Sequence, residues 1–114
     1  MEGLALATPT GTALMDFAFT PQHEQVRDTV ARFCAEHVAP LVAAAEEVEI
    51  FPKDVFRKWG ELGLIGVRYP ESDGGAGFDK ISDCIVREEM SRVCQAFASS
   101  CSAHAHLALW PLWR

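Results

Sequence analysis

The sequence predicts an all-α fold, and three observations carry that prediction. Apolar residues recur at helical spacing on both sides of one stretch, residues 60–77, and no strong strand pattern occurs elsewhere. That stretch holds six of the chain's eight glycines. Glycine reaches positive φ at little steric cost, so the cluster reads as turns, caps and close backbone approaches between helices. The chain has 114 residues, 49% apolar and 23% charged, enough for one domain with a modest core.

The first helix opens at Thr20 and Pro21. Thr20 caps free N–H groups, Pro21 suits the first helical position, and Glu24 sits at the positive end of the helix dipole. Val26, Val30, Phe33, Cys34 and His37 then fall on one face. Pro40 offers no N–H to Glu36 and crowds its carbonyl, so the helix kinks or restarts there. Leu41 to Val48, rich in Ala and Glu, continues as helix. Phe51-Pro52 starts a second unit with an apolar stripe of Val55, Phe56, Trp59 and Leu62. Gly63 is expected just past its end, in a Schellman stop that folds Leu64 back onto Trp59. Leu64 to Tyr69 reads as a short extended apolar run, with Tyr69 biased away from the α region by Pro70. Glu71 to Gly77 reads as loop.

Asp79 is expected to cap a helix over Lys80 to Val93. Ile81, Cys84 and Ile85 lie on one of its faces, and Val86, Met90, Val93 and Phe97 on another. A helix apolar on two sides is sandwiched between neighbours or belongs to a larger core. From Gln95 to Leu109 the chain is small, apolar and uncharged, with Ala96, Ala98, Ser99, Ser100, Ser102, Ala103, Ala105 and Ala108. Such a helix is either packed tightly on another or walls a tunnel beside a thin aliphatic chain. The last residues, Trp110 to Arg114, carry two tryptophans and no polar cap, and read as a cut end.

Composition excludes several classes. The net charge of −6 and the lack of a Lys/Arg cluster argue against nucleic acid. No apolar run approaches the roughly 20 residues that span a bilayer. Residues 1–14 lack a charged start and a secretory core, so they are expected to be a disordered leader, with Met15 as the natural start. Cys34, Cys84, Cys94 and Cys101 lie far apart inside helical segments and read as four reduced core thiols, which implies a cytoplasmic protein.

Three constellations invite chemistry. Glu88 and Glu89 are adjacent on a helix and diverge by about 100°, so they do not converge on one substrate atom. Glu88 is expected to be partly buried on an Arg partner and Glu89 solvated. Cys101, His104 and His106 are metal-ligand types, but only Cys101 and His104 share a face while His106 points away, so no metal site is expected. His104 reads as a packed or pocket-lining histidine, and His23 and His37 lack catalytic partners. Gly74-Gly75-Ala76-Gly77 lacks the spacing and the preceding strand of a dinucleotide fingerprint and reads as a turn-rich loop.

The residues GELGLIGVRYPESDGGAGFD, with Phe51-Pro52 before them and REEMSR at Arg87 to Arg92 after them, resemble the N-terminal helical domain of the acyl-CoA dehydrogenases, over roughly Met15 to Arg114. The resemblance implies an up-and-down bundle of four to five helices with a Gly-rich crossover loop. It implies a domain over residues 15–114 whose parent adds a β-domain and a C-terminal helical domain, binds FAD between them and assembles as a homotetramer. The parent's implied chemistry is α,β-desaturation of an acyl-CoA in fatty acid or amino acid catabolism. A carboxylate in the C-terminal bundle takes the α-proton and the β-hydride goes to the flavin. No catalytic residue falls in this stretch, which is expected to be inactive and free of FAD on its own. The segment SRVCQAFASSCSAHAHLAL resembles the isovaleryl, short branched-chain branch and implies acyl-CoA contacts at Ser99, Ala103, His104 and Leu107. It departs from that branch at Ser99, where an apolar residue is usual, and at Cys101, where an aromatic is. An acyl-CoA oxidase or flavin monooxygenase shares the same pattern. A small non-enzymatic helical protein binding a partner through Trp110, Leu112 and Trp113 is the reading from a different class.

Overall fold

The computed structural model describes residues 16–114; the expected leader and the start at Met15 lie outside the described residues. Helix α1 is Pro21–Phe33, followed by a π-turn at Cys34–Val38 and by α2, Ala39–Val48. Helix α3 is Asp54–Glu61, α4 is Lys80–Val93 and α5 is Gln95–Ser102. A second π-turn, Ala103–Ala108, leads into α6, Leu109–Trp113. Helices α1 and α2 run on through their π-turn, as do α5 and α6, so the described residues form four rods. No strand occurs among the described residues.

Both π-turns sit just before a proline. The Ala39 N–H reaches back to the Cys34 carbonyl, five residues away, and Pro40 follows. A regular turn would press the Pro40 ring on the Glu36 carbonyl; widening the turn by one residue relieves it. The helix therefore continues where the sequence predicts a kink or restart. The extra residue also shifts the phase: Val38 is buried and His37 is exposed, correcting the place assigned to His37 on the apolar face.

The core joins α1 (Val26, Val30, Phe33), α3 (Val55, Trp59), α4 (Ile85, Val86, Met90) and α5 (Phe97, Ala98, Cys101). Trp59 is fully buried, with Phe56 edge-on at 5.1 Å and Phe97 at 6.4 Å. Phe51 stacks on Phe97 at 4.9 Å. Each large apolar side chain taken fully out of water contributes roughly 1.5–3 kcal/mol. Leu62, expected in this stripe, is largely exposed, and Leu64 is buried instead. The Schellman stop is the reason. Leu64 N–H bonds the Trp59 carbonyl at 2.9 Å and Gly63 N–H bonds Gly60 at 3.0 Å, with Gly63 at φ 77°. On α4, Ile81 and Cys84 are exposed, so only one of its two apolar faces is covered among the described residues.

Residues 64–69 form bends and turns, not the extended run expected. The two limbs of the crossover loop hydrogen-bond to each other: Ala76 N–H to Gly66, Gly77 N–H to Tyr69 and Phe78 N–H to Val67. The approach is so close that a Cβ on Gly75 would lie 2.1 Å from the Tyr69 carbonyl oxygen.

Two helix starts share one carboxylate. Thr20 Oγ1 accepts the His23 N–H at 3.2 Å while the Thr20 N–H donates to His23 Nδ1 at 3.0 Å, a capping box with His in the usual Glu position. Because Nδ1 accepts, Nε2 carries the proton and donates to Asp79 Oδ2 at 2.8 Å. The other oxygen, Oδ1, accepts the Ser82 N–H at 2.8 Å and caps α4 as the sequence predicts. The His23 bond first, and the Ser82 backbone bond second, hold the Asp79 carboxyl at about 2 instead of 3.8.

Two predictions follow from these contacts. Gly75→Ala should lower stability by about 1–3 kcal/mol in urea unfolding, as overpacking does. Gly60→Ala, whose new Cβ meets nothing within 4 Å, should raise it by roughly 0.5–1 kcal/mol; equal effects would disprove the close-approach account. A carboxyl depressed on folding stabilises above its unfolded pKa and loses that contribution as pH falls through its folded one. Stability from Asp79 should therefore be complete above pH 3.8 and fade towards pH 2. Asp79→Asn should lower the urea midpoint at pH 6 and flatten its fall across that window. A variant with the wild-type slope would refute the assignment.

Candidate functional site

Cys94 leaves helical geometry (φ −160°, ψ 119°) and turns the chain between α4 and α5. Helix α5 and its π-turn then bury Phe97, Ala98, Cys101 and Ala105, and leave Ser99, Ala103 and Leu107 open. Between the open face and α4 runs a groove of about 420 Å³, lined by Arg87, Ser91, Gln95, Ala98, Ser99, Ser102, Ala103 and Leu107. A tighter cleft of about 220 Å³ lies between α1 and the crossover loop, with no ionisable side chain in its lining.

A hydrogen-bonded network underlies the groove. Arg87 donates to Asp83 Oδ1 at 2.8 Å and to Cys101 Sγ at 2.8 Å. His106 Nε2 meets Asp83 Oδ2 at 2.6 Å, and Ser102 Oγ lies 3.1 Å from His106 Nδ1. The two Asp83 oxygens thus meet different partners, Arg87 and His106. Both Asp83 and Arg87 are mostly buried, with side chains 8% and 16% exposed. Arg87 and His106 together tie α5 and its π-turn to Asp83 on α4, while the buried Arg87 Nε has no partner among the described residues.

The crossover loop holds the other end of the same helix. The Leu109 N–H bonds the His104 carbonyl, skipping the Ala105 carbonyl that a regular turn would give it, and Pro111 follows. The Tyr69 hydroxyl donates to that Ala105 carbonyl. Trp110 and Trp113 pack on the Tyr69 ring at 6.1 and 5.6 Å, Arg68 lies 4.7 Å over Trp110, and Trp113 Nε1 donates to Asp73. Trp110 is thus half-buried, a correction to its expected exposure, while Leu112 remains 83% exposed.

Of the four residues predicted to meet substrate, Ser99, Ala103 and Leu107 line the groove together. His104 does not line it; its ring packs edge-on against Phe56 at 5.6 Å. Sequence reasoning missed Asp83, Arg87, Ser102 and His106. The readable signal was two i, i+4 pairs, Asp83 with Arg87 and Ser102 with His106. The carboxylate assignment is reversed: Glu89 is buried, 3.4 Å from Arg27 and 3.6 Å from Arg92, whereas Glu88 is exposed, 3.0 Å from Arg92. Residue 89 follows Ile85 and precedes Met90 on the face turned to α1, which the sequence pattern assigned one residue out of phase. No group of three or more His, Cys, Asp or Glu is placed to hold a metal among the described residues. No helix among them is long and apolar enough to cross a membrane.

Residues 20–114 match the family model described as the acyl-CoA dehydrogenase N-terminal domain. The chain is 41% identical over 86 residues to the benzylmalonyl-CoA dehydrogenase of Aromatoleum aromaticum, covering 75% of this chain and 23% of the relative. It is 33% identical to the mitochondrial isovaleryl-CoA dehydrogenase of Oryza sativa subsp. japonica, covering 99% of this chain and 28% of that one. A solved chain from work on the electron transferring flavoprotein of Acidaminococcus fermentans superposes with a TM-score of 0.76 at 32% identity, over 80% of this chain and 24% of the other. The chain therefore spans about a quarter of the length of the relatives it matches.

All four cysteines are free thiols, but only Cys34 and Cys101 lie in the core; Cys84 is exposed and Cys94 intermediate. Burial pushes the Cys34 thiol up to about 11, with Glu89 adding to it. Burial also raises Cys101, against the opposing pull of Arg87. Since the thiolate is the reactive form, Cys84 should alkylate with iodoacetamide at pH 8 in the folded chain, and Cys34 and Cys101 only after unfolding. Mass spectrometry reads the order. Labelling of Cys101 at the rate of Cys84 would contradict this packing.

Proposed function

The chain belongs to the acyl-CoA dehydrogenase family, as its N-terminal domain, and from that membership we propose that residues 15–114 wall the acyl pocket of a larger flavoenzyme that desaturates a short or branched acyl-CoA between its α and β carbons. The groove carries this reading. Ser99, Ala103 and Leu107 share one open strip of a helix without charge, so a thin acyl chain lies along it without displacing large side chains. The network of Asp83, Arg87 and His106 keeps that strip rigid from below. His104, braced on Phe56, borders the strip and takes part in contacts only at its edge.

We assign the flavin, FAD, to the parent's other domains. The best-formed helix start near the Gly-rich loop is that of α4, and the Asp79 carboxylate already occupies it. An anion there repels the pyrophosphate that a dinucleotide brings to a helix N-terminus. The residues of this chain therefore do not fit the cofactor, and their part is to shape and exclude water from the acyl site. We further read the parent as a cytoplasmic homotetramer, in line with the family habit and with four free thiols.

The test uses the full-length protein. Ser99→Phe and Ala103→Phe should each shift its preference towards shorter acyl-CoAs, read as kcat/KM over a chain-length series, with flavin content unchanged. An unmoved preference in both variants removes the strip from the pocket. The 114-residue chain alone should purify colourless and leave a dye acceptor oxidised with isovaleryl-CoA.

A further inference from the structure

We propose that Gln95, pinned on Ser99, is the chain-length stop of the groove and sets how far an acyl tail reaches. The inference rests on the acyl-pocket reading above and adds to it the residue that limits substrate length. Helices α4 and α5 are joined by Cys94 alone, so the groove between them ends at that corner. Gln95 is the first residue of α5, and Ser91 lies three residues before Cys94 on α4; both line the groove. From the corner the strip runs past Ser99 and Ala103 to Leu107.

The Gln95 side chain lies back along its own helix, where Nε2 donates to Ser99 Oγ at 3.0 Å. Residues four apart on a helix are surface neighbours, which lets the pair meet. Both residues are exposed, so this bond, and not packing, holds the carboxamide in place. It sets the carboxamide over the first turn of the strip, which a tail must cross to reach the corner. A hydrocarbon end that pushes it aside breaks the bond. Once the groove is covered, the freed amide and hydroxyl have no water to turn to, and each bears its desolvation cost. The tail therefore stops against the bonded pair. An alanine at 99 offers Gln95 nothing to bond, so the carboxamide swings out to solvent. The strip then gains one helical turn, about 5.4 Å, and admits a longer tail.

The experiment takes the full-length, flavin-loaded protein and reads kcat/KM for butanoyl-, hexanoyl- and octanoyl-CoA. Gln95→Ala should raise the hexanoyl-to-butanoyl and octanoyl-to-butanoyl ratios by about fourfold or more, the worth of one further buried methylene. Ser99→Ala should raise them likewise, because it frees the same carboxamide. The double variant should match Gln95→Ala, since the two changes release one stop; two independent packing changes would instead multiply. Ratios unmoved in either single variant, or multiplied in the double one, overturn the inference. The pocket reading stands in that case if Ser99→Phe or Ala103→Phe still shortens the preferred chain, and falls with it if neither does. Failure of all three thioesters to bleach the flavin overturns both together.

Discussion

Pro111 constrains the helix on which the groove is built. It brings no N–H and its ring crowds the preceding turn, so the backbone widens at Ala103–Ala108 and the Leu109 N–H passes over one carbonyl. A bare carbonyl inside a protein is expensive. The Tyr69 hydroxyl meets it at Ala105, and with the Trp113–Asp73 bond and the Tyr69–Trp110–Trp113 ring contacts it ties the crossover loop to this helix. Tyr69 can reach because its own backbone is clamped on the opposite limb of the loop, where Gly77 donates to its carbonyl and Gly75 has no side chain to obstruct it. The glycines at one end of the chain's middle and the proline near its end are therefore parts of one arrangement.

The groove inherits its character from what lies under it. Helix α5 presents no charge of its own, and the charges beneath it cancel: Arg87 on Asp83, with His106 completing the carboxylate's second oxygen. On the far side of α5, the ring cluster of Phe51, Trp59 and Phe97 supplies the burial that holds the helix down. Packing and polarity are thus divided between the two faces of one short helix.

Much of this was legible in the residues. Thr20, Asp79 and Gly63 mark helix ends by chemistry that acts within a few residues, and each does what its type predicts. The small, uncharged run from Gln95 left tight helix packing and a wall beside another occupant both open, and Ser99, Ala103 and Leu107 share one exposed strip. Three of the errors concern helical phase. His37, Leu62 and Glu88 were each placed by extending a 3.6-residue period past a point where the backbone leaves it or by reading its phase one residue out. A π-turn displaced His37, a Schellman stop displaced Leu62, and the pairing of Glu89 with Arg27 fixed the phase of α4.

The sequence by itself determined the helices, their caps, the Gly-rich crossover and the family, because these depend on interactions between residues close in the chain or on motifs in fixed order. Only the tertiary structure decided that Asp79 serves two helices, that Tyr69 closes the widened turn, and that Asp83, Arg87, Ser102 and His106 form one network. Those contacts join residues far apart in the chain, and no local period or propensity encodes which distant side chain will stand at the open position.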